Sequence, residues 1–294
     1  MIAVAVLSFV GFKFAGSKDP AFFQRSEMNP FHIDEPTVIS FSGGRTSAFM
    51  LYKVLEAHNM SLPEEAIVCF ANTGKEDEAT LKFVDDCAKA WNVKIHWLEY
   101  QPAELTKDRW KEVGYETASR DGEPFAGLIN KRSYLPNPVA RFCTSDLKVI
   151  PIQKYMLSRG IEEFEQMLGI RADEKRRAAK LRQGNRTPLI DANYSQLDVQ
   201  EFWKASSFDL GLKFQSGVTN LGNCDLCFLK GPNQVLSIIR DNPDRALWWA
   251  KQEHAIGGTF RSDRPSYSEM MKFATEQMDM FGFSEETIAC FCGD

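Results

Sequence analysis

Apolar positions in the first third of the chain alternate between short continuous runs and helical spacing. The β-branched and aromatic run 37–41 predicts a buried strand, and the apolar residues of 48–58 recur at the spacing of a helix. The runs 66–70 and 93–98 predict two further strands, joined by an acidic helix that ends near Trp91. Strands and helices therefore alternate with short connections, which predicts an α/β fold with a mainly parallel sheet and helices on both faces.

The rest of the chain shows a less regular pattern. Residues 101–139 carry proline and glycine and predict a long loop with helical pieces, a candidate lid. Beyond this loop we expect a helix over 147–159, a strand over 166–170, an edge strand at 188–190, a helix capped by Asp198, two helices over 234–240 and 245–253, and a methionine-rich helix.

Composition narrows the class of protein. The chain has 294 residues, of which 44% are hydrophobic and 26% charged, and these globular values exclude wholesale disorder and a fibrous repeat. A formal net charge of −5 gives no global basic footprint for nucleic acid. Seven cysteines in a chain this long favour intracellular thiols or metal ligands over a secreted disulfide framework.

The apolar segments are too short for a membrane protein. No run reaches about 18 apolar residues, so we expect no membrane contact and a cytoplasmic protein. The apolar start 1–16 has no basic region before its apolar run and is interrupted by Lys13, which disfavours a signal peptide. An added strand or extension is the preferred interpretation, and translation from Met28 is an alternative.

A glycine-containing loop follows the first predicted strand and has the sequence Ser42-Gly43-Gly44-Arg45-Thr46-Ser47. Two glycines between a strand and a helix let backbone amides approach an anion, and the helix N-terminus adds partial positive charge. The loop lacks the Gly-Lys-Ser/Thr ending of a Walker A sequence and the third glycine of a dinucleotide fingerprint. It predicts a phosphate site, with a tight serine-capped turn as the alternative.

This loop resembles the SGGxxS pyrophosphate loop of the PP-loop ATP pyrophosphatase superfamily. Four further segments make the chain similar to the phosphoadenosine phosphosulfate (PAPS) reductase family, in particular to its phage- and prophage-type members. These segments are Asn72-Thr73-Gly74 with Glu78-Ala79-Thr80-Leu81, Arg141-Phe142-Cys143-Thr144 with Leu147-Lys148, Gly169-Ile170-Arg171 with Asp173-Glu174, and Leu221-Gly222-Asn223-Cys224 with Cys227.

The resemblance implies an adenine nucleotide, either ATP or a PAPS-like nucleotide, as cofactor. Its site would comprise the loop residues Ser42, Gly43, Gly44, Arg45, Thr46 and Ser47, together with Asn72, Thr73, Gly74, Gly169 and Arg171. Arg171, Lys148 and Asp173 are the residues that we expect to act in catalysis. Asp173 and Glu174 would orient Arg171 or hold Mg²⁺ through water.

The loop departs from the family pattern at one position. Many PP-loop enzymes have SGGxDS, whereas Thr46 stands here in place of the aspartate and Arg45 precedes it. An aspartate there helps to organise Mg²⁺ around the phosphates. The guanidinium of Arg45 offers instead a bidentate contact to phosphate or sulfate.

Cysteines form the second candidate site. The pair Cys224-x-x-Cys227 brings two thiolates together, the usual nucleus of a zinc or iron–sulfur site. The resemblance implies a [4Fe–4S] cluster near the nucleotide, for which the expected ligands are Cys143, Cys224, Cys227 and Cys290, with Cys292 as substitute for the last. Structural Zn²⁺, a redox-active dithiol and unlinked thiols are the alternatives.

The resulting hypothesis is an enzyme of the PAPS reductase family. It would adenylate a substrate with release of pyrophosphate, or reduce a sulfonucleotide, with an electron- or sulfur-donor protein as partner. The basic run 171–186 supports an alternative, insertion of sulfur into tRNA or DNA, and the missing loop aspartate supports another, a non-catalytic nucleotide-binding module. A homodimer is left open.

Three regions are expected along the chain. An N-terminal extension over 1–36 precedes a PP-loop nucleotide-binding domain over 37–215. A helical region over 216–294 carries the cysteines of the C-terminal part.

Overall fold

A six-stranded sheet forms the centre of the protein, of which a computed structural model describes residues 29–179, 185–215 and 218–276. The strand order is β4–β3–β2–β1–β5–β6, and all neighbours are parallel except β3 and β4. The strands are β1 (Thr37–Ser40), β2 (Ala66–Asn72), β3 (Ile95–Glu99), β4 (Lys111–Val113), β5 (Glu165–Leu168) and β6 (Asn185–Arg186). The predicted α/β fold with a mainly parallel sheet is confirmed.

Helices flank the sheet and continue beyond it. They are α1 (Arg45–Ala57), α2 (Glu78–Ala90), α3 (Glu123–Arg132), α4 (142–158), α5 (Lys175–Ala178), α6 (Pro188–Asp191), α7 (Gln196–Ala205), α8 (Pro232–Asp241), α9 (Arg245–Ile256) and α10 (Tyr267–Thr275). Within α4, a π-helical turn at Ser145–Val149 joins two α-helical parts. A small hairpin pairs β7 (Phe214–Gln215) with β8 (Val218–Thr219). No helix in these described ranges is long and apolar enough to cross a membrane.

Strand β1 is buried because it has a parallel neighbour on each side and helices on both faces. Val38 and Ile39 are fully buried, as expected for a β-branched run in a parallel sheet. In the following helix α1, the fully buried residues Ala48, Leu51 and Leu55 recur every three or four positions and form the face that packs on the sheet.

The order of the strands creates a crevice at the edge where β1 and β5 end. From β1 the chain moves to β2 and β3 on one side, and it returns later to β5 on the other side. The connections that leave β1 and β5 therefore diverge, and open α/β sheets bind ligands at such a switch point. The residues that follow these two strands are the loop 42–47 and the segment 169–171.

The described residues form three hydrophobic clusters, of which the two larger are called here the first and the second core. The first core lies around the sheet and α1, α2 and α7, with Phe83 and Trp203 in edge-to-face contact. The second core contains Phe125 of α3, Trp249 of α9 and Tyr267 of α10. Residues on both sides of position 215 thus build the second core, so the cysteine-bearing region packs as an extension of the nucleotide-binding domain predicted over 37–215.

Three sequence-based expectations about elements differ from the structure. The expected edge strand at 188–190 is wrong, because Pro188 begins the short helix α6, where its fixed φ and missing N–H suit the first turn. Asp198 is not the cap of α7: Ser195 is, and Asp198 accepts hydrogen bonds from the Ser195 amide and hydroxyl in a capping box. In the expected loop over 101–139, α3 is one of the predicted helical pieces, but the strand β4 was not expected.

Candidate functional site

Serine side chains hold the loop after β1 in shape. The Ser42 amide donates to Ser47 Oγ at 3.1 Å, and Ser47 Oγ donates to the Gly44 carbonyl at 3.0 Å. The Ser42 and Ser47 hydroxyl oxygens lie 2.9 Å apart. Ser47 is almost fully buried, so its hydroxyl stabilises the loop through these hydrogen bonds. Ser42 is only partly buried.

The two glycines give the loop its conformation. Gly43 has a φ of +80°, which other residues adopt with strain, and a Cβ atom there would lie 2.6 Å from Thr80 Cγ2. Gly44 stands at the N-terminus of α1 and has no side chain to cap the first-turn amides. These amides are consequently available to an anion in the crevice.

Gly169, just after β5, lies close to the backbone of the first turn of α1. A Cβ atom at Gly169 would lie 2.9 Å from Ser47 Cα and 3.1 Å from Ser47 N. The end of β5 therefore touches the first turn of α1. This contact brings two of the motifs predicted from the sequence together.

Arg171 is fixed beside the loop by several hydrogen bonds. Its Nη1 donates to Thr46 Oγ1 at 3.1 Å, and its Nε and Nη2 donate to the two oxygens of Asp173 at 3.1 and 3.2 Å. The Arg171 amide donates to Glu174 Oε2 at 2.9 Å. Asp173 also accepts from the Gln196 amide. Of the two roles expected for Asp173 and Glu174, these contacts match the orientation of Arg171.

Arg45 forms an ion pair with the carboxylate of Asp209. Its Nε and Nη2 donate to the two oxygens of Asp209 at 2.6 and 2.5 Å, and Nη2 also donates to the Leu212 carbonyl. Burial opposes ionisation of Asp209, yet the hydrogen bonds from Arg45 hold its pKa below the usual value. The ion pair ties the segment around Asp209 to α1, and the phosphate contact of Arg45 stays a prediction.

The end of β2 is organised by Asn72. Its Nδ2 donates to Glu99 Oε1 at 2.7 Å and to the Ser119 carbonyl at 2.8 Å, while its Oδ1 accepts from the Gly74 amide at 3.1 Å. Asn72 is fully buried and positions the turn at Thr73 and Gly74.

Thr73 connects this turn to the cysteines. Its amide and hydroxyl donate to Glu76 Oε2 at 2.9 and 2.8 Å, and its Oγ1 lies 3.4 Å from Cys224 Sγ. Glu76 and Cys224 also form an isolated antiparallel β-bridge. The Cys-x-x-Cys segment is therefore docked at the carboxyl end of β2, on the same edge of the sheet as the loop 42–47.

Lys148 and Glu76 are the charged groups next to Cys224. Lys148 Nζ lies 3.9 Å from Glu76 Oε1, a buried oxygen that accepts no hydrogen bond from the described chain. Burial raises the pKa of the Cys224 thiol well above its usual value, Glu76 adds to this effect, and the charge of Lys148 opposes it. Lys148 is thus placed to stabilise negative charge at the cysteines.

Three of the expected metal ligands gather in the second core. Cys224 belongs to this core, and Cys143 and Cys227 pack against it. These three cysteines, with Cys69 and Cys87, form no disulfide. Soft thiol donors in apolar surroundings fit the chemistry of an iron–sulfur or zinc site. Among the described residues no group of three His, Cys, Asp or Glu side chains is arranged to hold a metal ion, and Cys290 and Cys292 lie outside those residues.

Arg264 places a guanidinium beside the cysteine turn. Its guanidinium donates to the Lys230 carbonyl at 2.8 Å and to the Phe228 carbonyl, just after Cys227. Burial lowers its pKa, and the negative charge of a Cys227 thiolate opposes that change. From the sequence, the position of Arg264 after Gly257-Gly258 suggests a residue that closes over a substrate, with an exposed loop residue as the simpler alternative; its place beside the cysteine turn was not predicted.

A cavity of about 560 Å³ opens beside the cysteine turn. Its lining residues are Lys75, Glu76, Asp77, Glu78, Arg120, Asp121, Asp225, Asn242, Asp244, Arg245, Leu247 and Trp248. The three basic side chains are engaged by acidic ones: Lys75 lies 3.4 Å from Asp225, Arg245 lies 2.5 Å from Asp77, and Arg120 lies 2.7 Å from Glu78. The volume is that of a small-molecule site.

Among the described residues of the basic run 171–186, Lys175 and Arg176 are exposed, whereas Arg177 and Arg186 are engaged by acidic side chains. Arg177 is buried and pairs with Glu174 at 2.5 Å. Arg186 pairs with Glu165 at 3.1 Å and donates to the carbonyls of Pro30 and His32. Residues 180–184 lie outside the described ranges. Arg177 and Arg186 are therefore tied to neighbouring segments, Arg171 lies beside the loop 42–47, and nucleic-acid binding stays a prediction.

Comparison with known proteins places the chain among relatives of unknown activity. No protein-family model matches it. Over 234 residues, 76% of this chain, it is 26% identical to the uncharacterised protein MJ0066 of Methanocaldococcus jannaschii, of which it spans only 42%. Over 212 residues, 69% of each protein, it is 30% identical to the uncharacterised nin region protein ORF290 of Escherichia phage lambda. With this identity and coverage, the chain belongs to the family of the phage lambda nin region protein ORF290.

Proposed function

We propose that this protein is an adenine-nucleotide-dependent enzyme of the PAPS reductase type, which binds the phosphates of ATP or a PAPS-like nucleotide in the crevice between β1 and β5. The observation that carries the proposal is the hydrogen bond of 3.1 Å from Arg171 to Thr46. It joins two motifs that are distant in the sequence, and it does so at the switch point of the sheet, where α/β proteins bind ligands.

The crevice offers hydrogen-bond donors and positive charge to a polyphosphate. The first-turn amides of α1 and the partly buried Ser42 offer hydrogen bonds, and the guanidinium of Arg171 offers positive charge held in a fixed orientation by Asp173. In adenylation, the substrate attacks the α-phosphorus and pyrophosphate leaves. The developing charge on the leaving group would be neutralised by Arg171 and the helix N-terminus.

The cavity of about 560 Å³ is the proposed place for the second substrate, because it lies at the carboxyl end of β2, on the same sheet edge as the loop. A cluster or Zn²⁺ bound by Cys143, Cys224, Cys227 and one C-terminal cysteine would supply electron-transfer or Lewis-acid chemistry. Lys148 and Arg264 would balance the negative charge of these thiolates.

Nucleotide binding tests the proposal directly. Titration calorimetry with ATP and with PAPS should detect binding of at least one of them. Arg171→Ala should weaken this binding about tenfold to hundredfold, since a fixed charge-assisted contact to phosphate is lost. Arg240→Ala, at an exposed position of α8, is the matched control and should bind as the unchanged protein does.

The assay for chemistry is release of pyrophosphate from ATP or of sulfite from PAPS. Absence of binding of both nucleotides at millimolar concentration, or an Arg171→Ala variant with unchanged affinity, would contradict the proposal.

The content of iron, sulfide and zinc after anaerobic purification distinguishes a bound iron–sulfur cluster from bound zinc. Cys224→Ser should lose the metal, whereas Cys87→Ala, a buried cysteine of α2 in the first core, should retain it.

A further inference from the structure

A second, very small cavity lies directly over the glycine pair of the loop. Its volume is about 10 Å³, and its lining residues are Gly43, Gly44, Thr80, Leu210, Thr219, Gly222 and Asn223. This volume admits roughly one water molecule or one oxygen atom of a larger ligand. Four separate stretches of the chain therefore line a space for a single oxygen atom.

Thr80 is the polar side chain of interest in this cavity. It lies in the first turn of α2 and is 2% exposed, and its hydroxyl has no hydrogen-bond partner within the described ranges. Its methyl group packs against Gly43, since a Cβ atom there would lie 2.6 Å from Thr80 Cγ2. A buried hydroxyl without a partner destabilises a folded protein, so its presence calls for an explanation.

The roof of the cavity comes from the cysteine-bearing region and is held in place. Lys230 Nζ donates to the Gly222 carbonyl at 2.6 Å, and Lys230 is itself buried. Asn223, next in the chain, adopts a φ of +57°. This held segment forms one side of the small cavity, whose other lining residues are those named above.

We propose that Thr80 is a ligand-binding residue whose hydroxyl donates a hydrogen bond to a phosphate oxygen of the nucleotide bound by the loop. This inference rests on the proposed function, because it assigns a further contact within the same site. A phosphate oxygen is favoured over water because the cavity adjoins the α1 N-terminus, where partial positive charge suits an anion. Thr80 would thereby gain the partner that it lacks.

The test compares variants that differ only in this hydroxyl. Thr80→Val and Thr80→Ala remove it, and Thr80→Ser keeps it. Thr37→Val is the matched control, because Thr37 is equally buried but lies at the opposite end of β1, where its hydroxyl donates to the Glu35 carbonyl at 2.8 Å. Calorimetry measures the affinities for ATP, inorganic pyrophosphate and adenosine, and urea unfolding measures the stability of the ligand-free protein.

We expect Thr80→Val to weaken binding of ATP and pyrophosphate by about tenfold, the effect of one lost charge-assisted hydrogen bond, and to leave adenosine binding unchanged. Thr80→Ser should bind as the unchanged protein does. Ligand-free Thr80→Val should be at least as stable as the unchanged protein, because an unsatisfied buried hydroxyl is removed. Thr37→Val should show the opposite pattern, with lower stability and unchanged affinity.

Two results would overturn the inference while leaving the proposed function intact. One is an ATP affinity that is equal in the unchanged protein, Thr80→Val and Thr80→Ala. The other is lower stability of ligand-free Thr80→Val with unchanged ATP affinity, which would identify the occupant as a structural water only. If Thr80→Val fails to fold, the comparison of Thr80→Ala with Thr80→Ser decides. Failure of the unchanged protein to bind ATP, pyrophosphate or PAPS would instead refute the proposed function itself.

Discussion

Because glycine has no side chain, Gly169 allows the end of β5 to pack against the first turn of α1. Backbone atoms cannot move aside as the tip of a flexible side chain can, and a Cβ atom here would meet Ser47 Cα at 2.9 Å. A methyl group at this position must therefore push the β5 end away from the phosphate loop. The effect should reach Arg171, two residues further along the chain.

Gly169→Ala should consequently destabilise the protein by about 1–3 kcal/mol, the range for overpacking a tight interior. It should also weaken ATP binding, since Arg171 no longer reaches Thr46. Urea unfolding and calorimetry measure the two effects. The control is Gly114→Ala, where an added Cβ would meet no described atom within 4 Å. Equal stability of the two variants would contradict the importance of this contact.

Sequence motifs located the residues of the crevice but not all of their roles. Gly169 and Arg171 follow a predicted strand, and the loop 42–47 follows another, so parallel topology predicts that they meet. The pairing of Arg45 with Asp209 had no such signal, because Asp209 lies on an irregular segment far along the chain. Contacts made by irregular segments depend on tertiary packing, and the local pattern of polar and apolar residues does not predict such packing.

Among the elements, the start of α2 connects the sheet to the cysteine-bearing region. Asp77 caps α2, since its side chain accepts from the Ala79 amide at 2.9 Å. The same carboxylate accepts from Arg245 Nη2, at the first position of α9, at 2.5 Å. The Asp77 carboxylate thus caps the N-terminus of α2 and also pairs with the first residue of α9.

Two substitutions at Asp77 separate these contributions. Asp77→Asn keeps a capping oxygen and loses the charge, so only the pair with Arg245 should be weakened. Asp77→Ala loses both and should destabilise the protein by about 1–3 kcal/mol, the cap alone contributing about 1 kcal/mol. Chemical unfolding of both variants measures the difference. Equal stability of Asp77→Asn and Asp77→Ala would show that the cap contributes nothing.

Element types were predictable where short apolar runs alternated regularly with segments of helical spacing. Strands β1, β2, β3 and β5 and the two helices between the first three were all expected within a few residues. Strand β4 was missed because three residues, Lys111–Val113, are too few to show alternation, and its pairing with β3 is what makes it a strand. The helix start at Pro188 was mistaken for a strand because short apolar runs do not distinguish the two.

At the scale of the whole molecule, the second core unites segments that the sequence assigned to different regions. Tyr100, Phe125 and Leu147 come from before position 215, and Phe228, Trp249 and Phe260 come from after it. The change in sequence character near 216 marked the cysteines correctly but gave no information on packing. Whether segments share a core depends on long-range contacts, which periodicity does not record.

This shared core predicts cooperative unfolding of the described regions. Calorimetric and van't Hoff enthalpies should agree, and ATP binding should disappear in the same transition as tertiary structure. Phe125→Ala should lower stability by about 3–5 kcal/mol and shift this single transition as a whole. Leu247→Ala, at a side chain that is 52% exposed on α9, should leave the transition in place. Two separate transitions would show instead that the two cores unfold independently.

The interleaving of the two cores also bears on how genes of this family can exchange segments. The first core draws on residues from Phe31 to Leu210, and the second on residues from Tyr100 to Ala274. A recombination breakpoint anywhere between 31 and 274 therefore divides at least one core between two parents. Chimaeras of diverged relatives should fold only where the core residues from the two parents still pack together. This part of the gene should therefore be inherited mostly as one block.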